Sequence, residues 1–122
     1  MNFIFPLAVT AVMATALILR RRSWLAPDVA RKYIAEGALV IDVRTKSEFI
    51  AGHLPKAVNL PLGEFAATLP NLVSDRNRVL LLHCQSGGRS ALARRQALSL
   101  GYANSYNLGS LARVRQVAEA QF

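Results

Sequence analysis

Val79-Leu80-Leu81-Leu82-His83-Cys84-Gln85-Ser86-Gly87-Gly88-Arg89-Ser90 is an apolar run that breaks at the only cysteine of the chain and passes into a glycine-rich loop. Arg78 to His83 reads as a strand covered on both faces, the pattern of a central strand in a parallel sheet. Ser90 to Leu100 follows with helical spacing, turning Ala93, Ala97 and Leu100 inward, and Gly101 closes it. In open α/β sheets ligands bind at the carboxyl ends of the strands. A thiol there, facing a loop that leads into a helix N-terminus, ionises readily and reacts.

Elements of the same kind continue on both sides. Pro27 and Asp28 open a helix with Val29, Ala30, Tyr33 and Ile34 on one face, and Gly37 ends it. Ala38 to Val43 is a buried strand. Thr45 with Glu48 forms a capping box for a brief helix that stops at Gly52. Ala57 to Leu60 is a short strand, and Leu62 to Leu69 a helix stopped by Pro70. Asn104 to Leu108 is a last strand. Ser110 to Glu119 is a last helix, with Leu111, Val114 and Ala118 at core spacing. Strands alternating with helices predict a small α/β domain with a mainly parallel central sheet flanked by helices.

The 122 residues and 52% hydrophobic content exclude disorder and suit one compact domain. A single cysteine cannot form an internal disulfide, and no Cys/His cluster has zinc spacing. His53 and His83 stand alone and read as hydrogen-bonded structural residues. The formal net charge is +8, yet the basic residues form no stripe interleaved with aromatics, so nucleic acid is not an expected partner. Small anions and an acidic membrane surface are.

Phe3 to Leu19 carries no charge over seventeen residues. As a helix it spans about 25 Å, slightly short of a hydrocarbon core of ~30 Å. Arg20, Arg21 and Arg22 follow it, then Trp24, placed where an interfacial aromatic is common. The segment is apolar on every side, unlike a core helix. A signal peptide has its positive charge before the apolar stretch, whereas here it comes after. The expectation is one transmembrane helix, with residues 1–24 as anchor and basic flank and 25–122 as the domain. Membrane lipid would contact residues 3–19. The arginines would hold the domain on the cytoplasmic side, the bacterial inner membrane being the natural location. The alternative is a periplasmic domain after cleavage near Ala14-Thr15-Ala16.

Asp42-Val43-Arg44, followed by Glu48-Phe49, Gly52-His53-Leu54, Ala57 and Asn59-Leu60-Pro61, makes one constellation. Cys84 to Ser90 makes a second. Together they resemble the rhodanese, or sulfurtransferase, family, single-domain members included. That resemblance implies a thiosulfate sulfurtransferase in which Cys84 is the catalytic residue and carries a persulfide. Sulfur comes from a small anionic donor such as thiosulfate and goes to a thiol or to cyanide, by ping-pong covalent chemistry without a cofactor or metal.

The residues suit that chemistry independently. A free thiol titrates near 8.5, and a helix N-terminus or nearby cation lowers it to between about 3.5 and 7.5. Amides of Gln85, Ser86, Gly87, Gly88, Arg89 and Ser90 can nest around the sulfur. Gly87 and Gly88 supply the backbone freedom such a turn needs. Arg89 can pair with the sulfonate end of the donor. A cation at a helix start is poorly placed unless an anion accompanies it. Asp42, Arg44, Glu48 and His53 read as supporting residues beneath the loop.

Two other readings stay open. One is a membrane-tethered persulfide carrier with little thiosulfate activity. The other is a cysteine phosphatase or arsenate reductase, although phosphatases place one more residue between cysteine and arginine than the four here. Related domains also carry a Gly-Gly pair and a tryptophan near the C-terminus, where this chain has Gly109-Ser110 and no tryptophan.

Overall fold

The computed structural model describes residues 4–119, with side chains over 6–19 and 23–119. Helix α1 (Ile4–Arg22) is followed by α2 (Pro27–Ala35), β1 (Leu39–Asp42), α3 (Lys46–Ala51) and β2 (Val58–Asn59). Then come α4 (Leu62–Leu72), β3 (Leu80–Cys84), α5 (Gly88–Ser99), β4 (Ser105–Ser110) and α6 (Leu111–Ala118). The strands form one sheet in the order β2-β1-β3-β4, every neighbouring pair parallel.

β3 is buried along its whole length. Its alternate residues serve two cores, as the two-residue period of a strand requires. Leu80, Leu82 and Cys84 join Ile41, Phe65, Leu69, Ala93, Ala97 and Tyr102 on the side of α4 and α5. Leu81 joins Ala30, Val40, Leu108, Val114 and Val117 on the side of α2 and α6. Helices on both faces explain why the strands are apolar runs rather than alternations.

Several boundaries differ from the sequence reading. α4 runs past Pro70 to Leu72. The proline removes one backbone donor late in the helix, and the Tyr102 hydroxyl approaches the carbonyl oxygens of Leu69 and Val73 at that end. β4 extends to Ser110 because a bulge beside Leu82 and His83 admits an extra residue, pairing His83 with Gly109 and Cys84 with Ser110. Val29 is exposed rather than inward, while its helix buries Ala30.

Among the described residues no helix is long and apolar enough to cross a membrane. The expected span overlaps α1, whose apolar side chains Leu7, Val12, Met13 and Leu19 stand exposed. Asn2, Phe3 and the side chains of Arg20, Arg21 and Arg22 lie outside the described residues.

Candidate active site

Cys84 ends β3 at the carboxyl edge of the sheet, and its loop turns directly into α5. Gly87 is the N-cap of that helix, in the left-handed region at φ 95°. This conformation aims the Gly87 amide at Cys84 Sγ, 3.0 Å away. Gly88 is already helical, so only Gly87 of the glycine pair needs positive φ. Ser90 Oγ lies 3.5 Å from the sulfur, 3.1 Å from the Gly87 carbonyl and 2.7 Å from Asn107 Oδ1. Its single proton serves one of these acceptors at a time.

The residue Cys84 is fully buried. Burial pushes its thiol up, but hydrogen bonds from the Ser90 hydroxyl and from the amides of Ser90, Ser86 and Gly87 outweigh this. The thiol therefore ionises below its usual range. Amide donors that favour a negative sulfur are what a thiolate nucleophile, and then a persulfide, require.

Arg89 is not free to meet an anion. Its two terminal nitrogens donate to Glu48 at 2.6 and 3.0 Å. Glu48 belongs to α3, whose capping box with Thr45 is present as the sequence predicts. The paired Arg89, with help from Thr45, outweighs the burial penalty and lowers the Glu48 carboxyl to about 2. Thus the anion that the cation at the start of α5 demands is a carboxylate of the chain itself.

Arg44 and Asp42 form a buried pair: Nε to Oδ1 is 3.0 Å and Nη2 to Oδ2 is 2.8 Å. Arg44 also donates to the Gly52 carbonyl at 2.7 Å and reaches Gln85 Oε1 at 3.4 Å. Asn59 donates to the carbonyls of Asp42 and Arg44. The first constellation is therefore a brace joining β1, α3 and the active loop. His53 is exposed, stacks on Phe49 at 3.7 Å and sits 2.8 Å from the Phe49 carbonyl through Nδ1. His83 corrects the expectation of a hydrogen-bonded ring. It is buried, Nε2 is 3.9 Å from Asp42, and neither ring nitrogen has a hydrogen-bond partner among the described residues. Burial drives its pKa down, against the pull of Asp42, and favours the neutral ring.

An open cavity of about 700 Å³ lies beside the loop, lined by Gln85, Ser86, Ser110, Arg113 and Gln116, with Trp24 and Leu17. Cys84 itself does not line it. Trp24, read from the sequence as a membrane-interface residue, lies against the loop instead. A methyl group on Gly87 would stand 2.6 Å from the indole, and one on Gly109, at φ 97°, would stand 2.8 Å from Cε2. Two side-chain-free positions thus form a slot for the ring. The backbone of Leu25 pins the segment, donating to the Asn107 carbonyl and accepting from Arg113, both at 2.8 Å. The sequence reading missed Trp24, Asn107 and Arg113. The Asn107-Leu108-Gly109 turn carried a local signal, since the Asn107 side chain accepts from the Gly109 amide at 2.9 Å. Trp24 carried none.

A family model described as the Rhodanese-like domain matches residues 26–113. The chain is 31% identical over 71 residues to the thiosulfate sulfurtransferase PspE of Escherichia coli, covering 58% of this chain and 68% of that protein. It is 32% identical over 93 residues to the human thiosulfate:glutathione sulfurtransferase, covering 63% and 78%. Among solved structures, the human single-domain sulfurtransferase TSTD1 superposes with a TM-score of 0.65 at 29% identity, over 77% of this chain and 96% of that one. The Cys84 loop, its brace and the whole parallel sheet fall inside the matched stretch, and this chain belongs to the rhodanese-like domain family, alongside its sulfurtransferases.

Proposed function

We propose that the chain is a thiosulfate sulfurtransferase working through a Cys84 persulfide. The thiolate attacks the outer sulfur of thiosulfate. A new sulfur–sulfur bond forms, the old one breaks, and its electron pair leaves with sulfite. Cys84 then carries an anionic terminal sulfur, so charge balances without an outside oxidant or reductant. A nucleophile, cyanide or a cellular thiol, takes that sulfur and returns the thiolate. The name of the human relative pairs thiosulfate with glutathione, which supports a thiol as acceptor.

The observation that carries this reading is the Gly87 amide 3.0 Å from Cys84 Sγ, with Ser90 behind it. These donors stabilise the negative sulfur of the resting thiolate, and no general base is needed. The test is thiocyanate production from thiosulfate and cyanide by the purified full chain. Wild type should turn over and Cys84→Ser should not; equal turnover by both would refute the reading. Loading from an organic persulfide but not from thiosulfate would identify a carrier instead.

We also infer that α1 tethers the domain to a membrane on its cytoplasmic side. Its exposed apolar side chains support this, as do the three arginines that follow them. Retention in the membrane pellet after alkaline extraction is expected, and release into the supernatant would contradict it.

A further inference from the structure

Cys84 has no exposed surface, so a donor reaches its sulfur only after something above the loop moves. The indole of Trp24 packs against Gly87, the residue whose amide meets the Cys84 sulfur, and against Gly109. Trp24 precedes the stretch matched to the family, and Arg113 is the last residue of that stretch.

The guanidinium groups around the loop are occupied differently. Arg44 serves Asp42, Gly52 and Gln85. Arg89 gives both terminal nitrogens to Glu48. Arg113 gives Nη2 to the Leu25 carbonyl and lies 5.3 Å above the Trp24 ring. Its Nη1 is shielded from solvent and has no hydrogen-bond partner among the described residues. A charged donor held this way is costly until an acceptor arrives. Arg113 also lines the cavity with Gln85, Ser86 and Ser110.

We propose that Arg113, rather than Arg89, receives the oxyanion end of the sulfur donor, exchanging its contact with Trp24 for hydrogen bonds to that oxyanion and so uncovering Cys84. The proposal rests on the persulfide reading and names the residue that selects its substrate class: small dianions whose transferable sulfur is bonded to an oxygen-bearing sulfur. A cation–π contact is weaker than charge-assisted hydrogen bonds from the same guanidinium, so the exchange favours the anion. Sulfite, leaving with the bonding pair, departs on the side where Arg113 waits.

Trp24 is the only tryptophan, so its emission reports the exchange. The full chain carrying Cys84→Ser, which cannot turn over, is titrated with thiosulfate. A saturable emission change is expected. Arg113→Gln should raise the half-saturating concentration roughly tenfold or more, and Arg113→Lys should recover part of the loss. No saturable change, or an unaltered midpoint in Arg113→Gln, overturns the proposal. A second measurement leaves Arg113 in place, so that a misfolded variant cannot decide the matter. Phenylglyoxal labelling mapped by peptide mass should show thiosulfate protecting Arg113, and equal labelling with and without thiosulfate overturns the idea. Intact mass of the wild type separates the two levels. No sulfur adduct removes the persulfide reading, and this proposal with it. An adduct that forms at the same thiosulfate concentration in Arg113→Gln as in wild type removes this proposal alone.

Discussion

Glu48 holds Arg89 through two hydrogen bonds of 2.6 and 3.0 Å across a sequence separation of 41 residues. The pair ties the capped start of α3 to the first turn of α5, and so fixes the loop between β3 and α5 from outside. A half-exposed pair of this kind contributes no more than about 1 kcal/mol to stability; its larger effect is on loop geometry. The Glu48 carboxyl is lowered from 4.5 to about 2 in the folded chain. Its contribution is therefore complete above the unfolded value and disappears as pH falls toward about 2. Urea midpoints of wild type and Glu48→Gln should differ at neutral pH and converge through that acidic window.

Asp42 and Arg44 are a different case, because both are buried. Removing one partner leaves an uncompensated charge under the loop. Asp42→Ala should cost about 3–5 kcal/mol in equilibrium unfolding. A double variant replacing both residues with apolar ones should recover much of that loss, whereas independent effects would simply add.

Ser90 is the side-chain donor that lowers the Cys84 thiol. Ser90→Ala removes it and leaves the burial that opposes ionisation. The pH profile of iodoacetamide alkylation should shift upward, with slower reaction at neutral pH. An unchanged profile would mean that the backbone amides alone set the thiol.

Gly109 carries the floor of the Trp24 slot at φ 97°. Gly109→Ala should cost about 1–2 kcal/mol from backbone conformation alone. The added methyl also meets the indole, so Trp24 emission should shift to the red as the ring is pushed into water. Normal emission in the variant would place the ring elsewhere.

Much of this arrangement is legible from local sequence. The apolar run before Cys84, the Thr45–Glu48 capping box and the inward Ala93 and Ala97 each follow from spacing a few residues long, and the alternation of strands with helices gives the parallel sheet. What stays hidden is long-range. Nothing near Arg89 says that its anion comes from α3, because that depends on β1 lying beside β3. Nothing near Trp24 says that it meets two glycines from different strand ends. α4 continues through Pro70 to Leu72, and the Tyr102 hydroxyl, 32 positions later in the chain, meets the Leu69 and Val73 carbonyls at that end. The bulge at the end of β4 is likewise a pairing event, visible only once Leu82 and His83 have neighbours.

Whether Cys84 accepts a sulfur atom is most directly read by intact mass after exposure to thiosulfate and removal of excess donor. Wild type should gain about 32 Da, the mass of one persulfide sulfur, located on the Cys84 peptide and released by cyanide, while Cys84→Ser gains nothing. A wild-type chain that stays at its unloaded mass would contradict the persulfide mechanism.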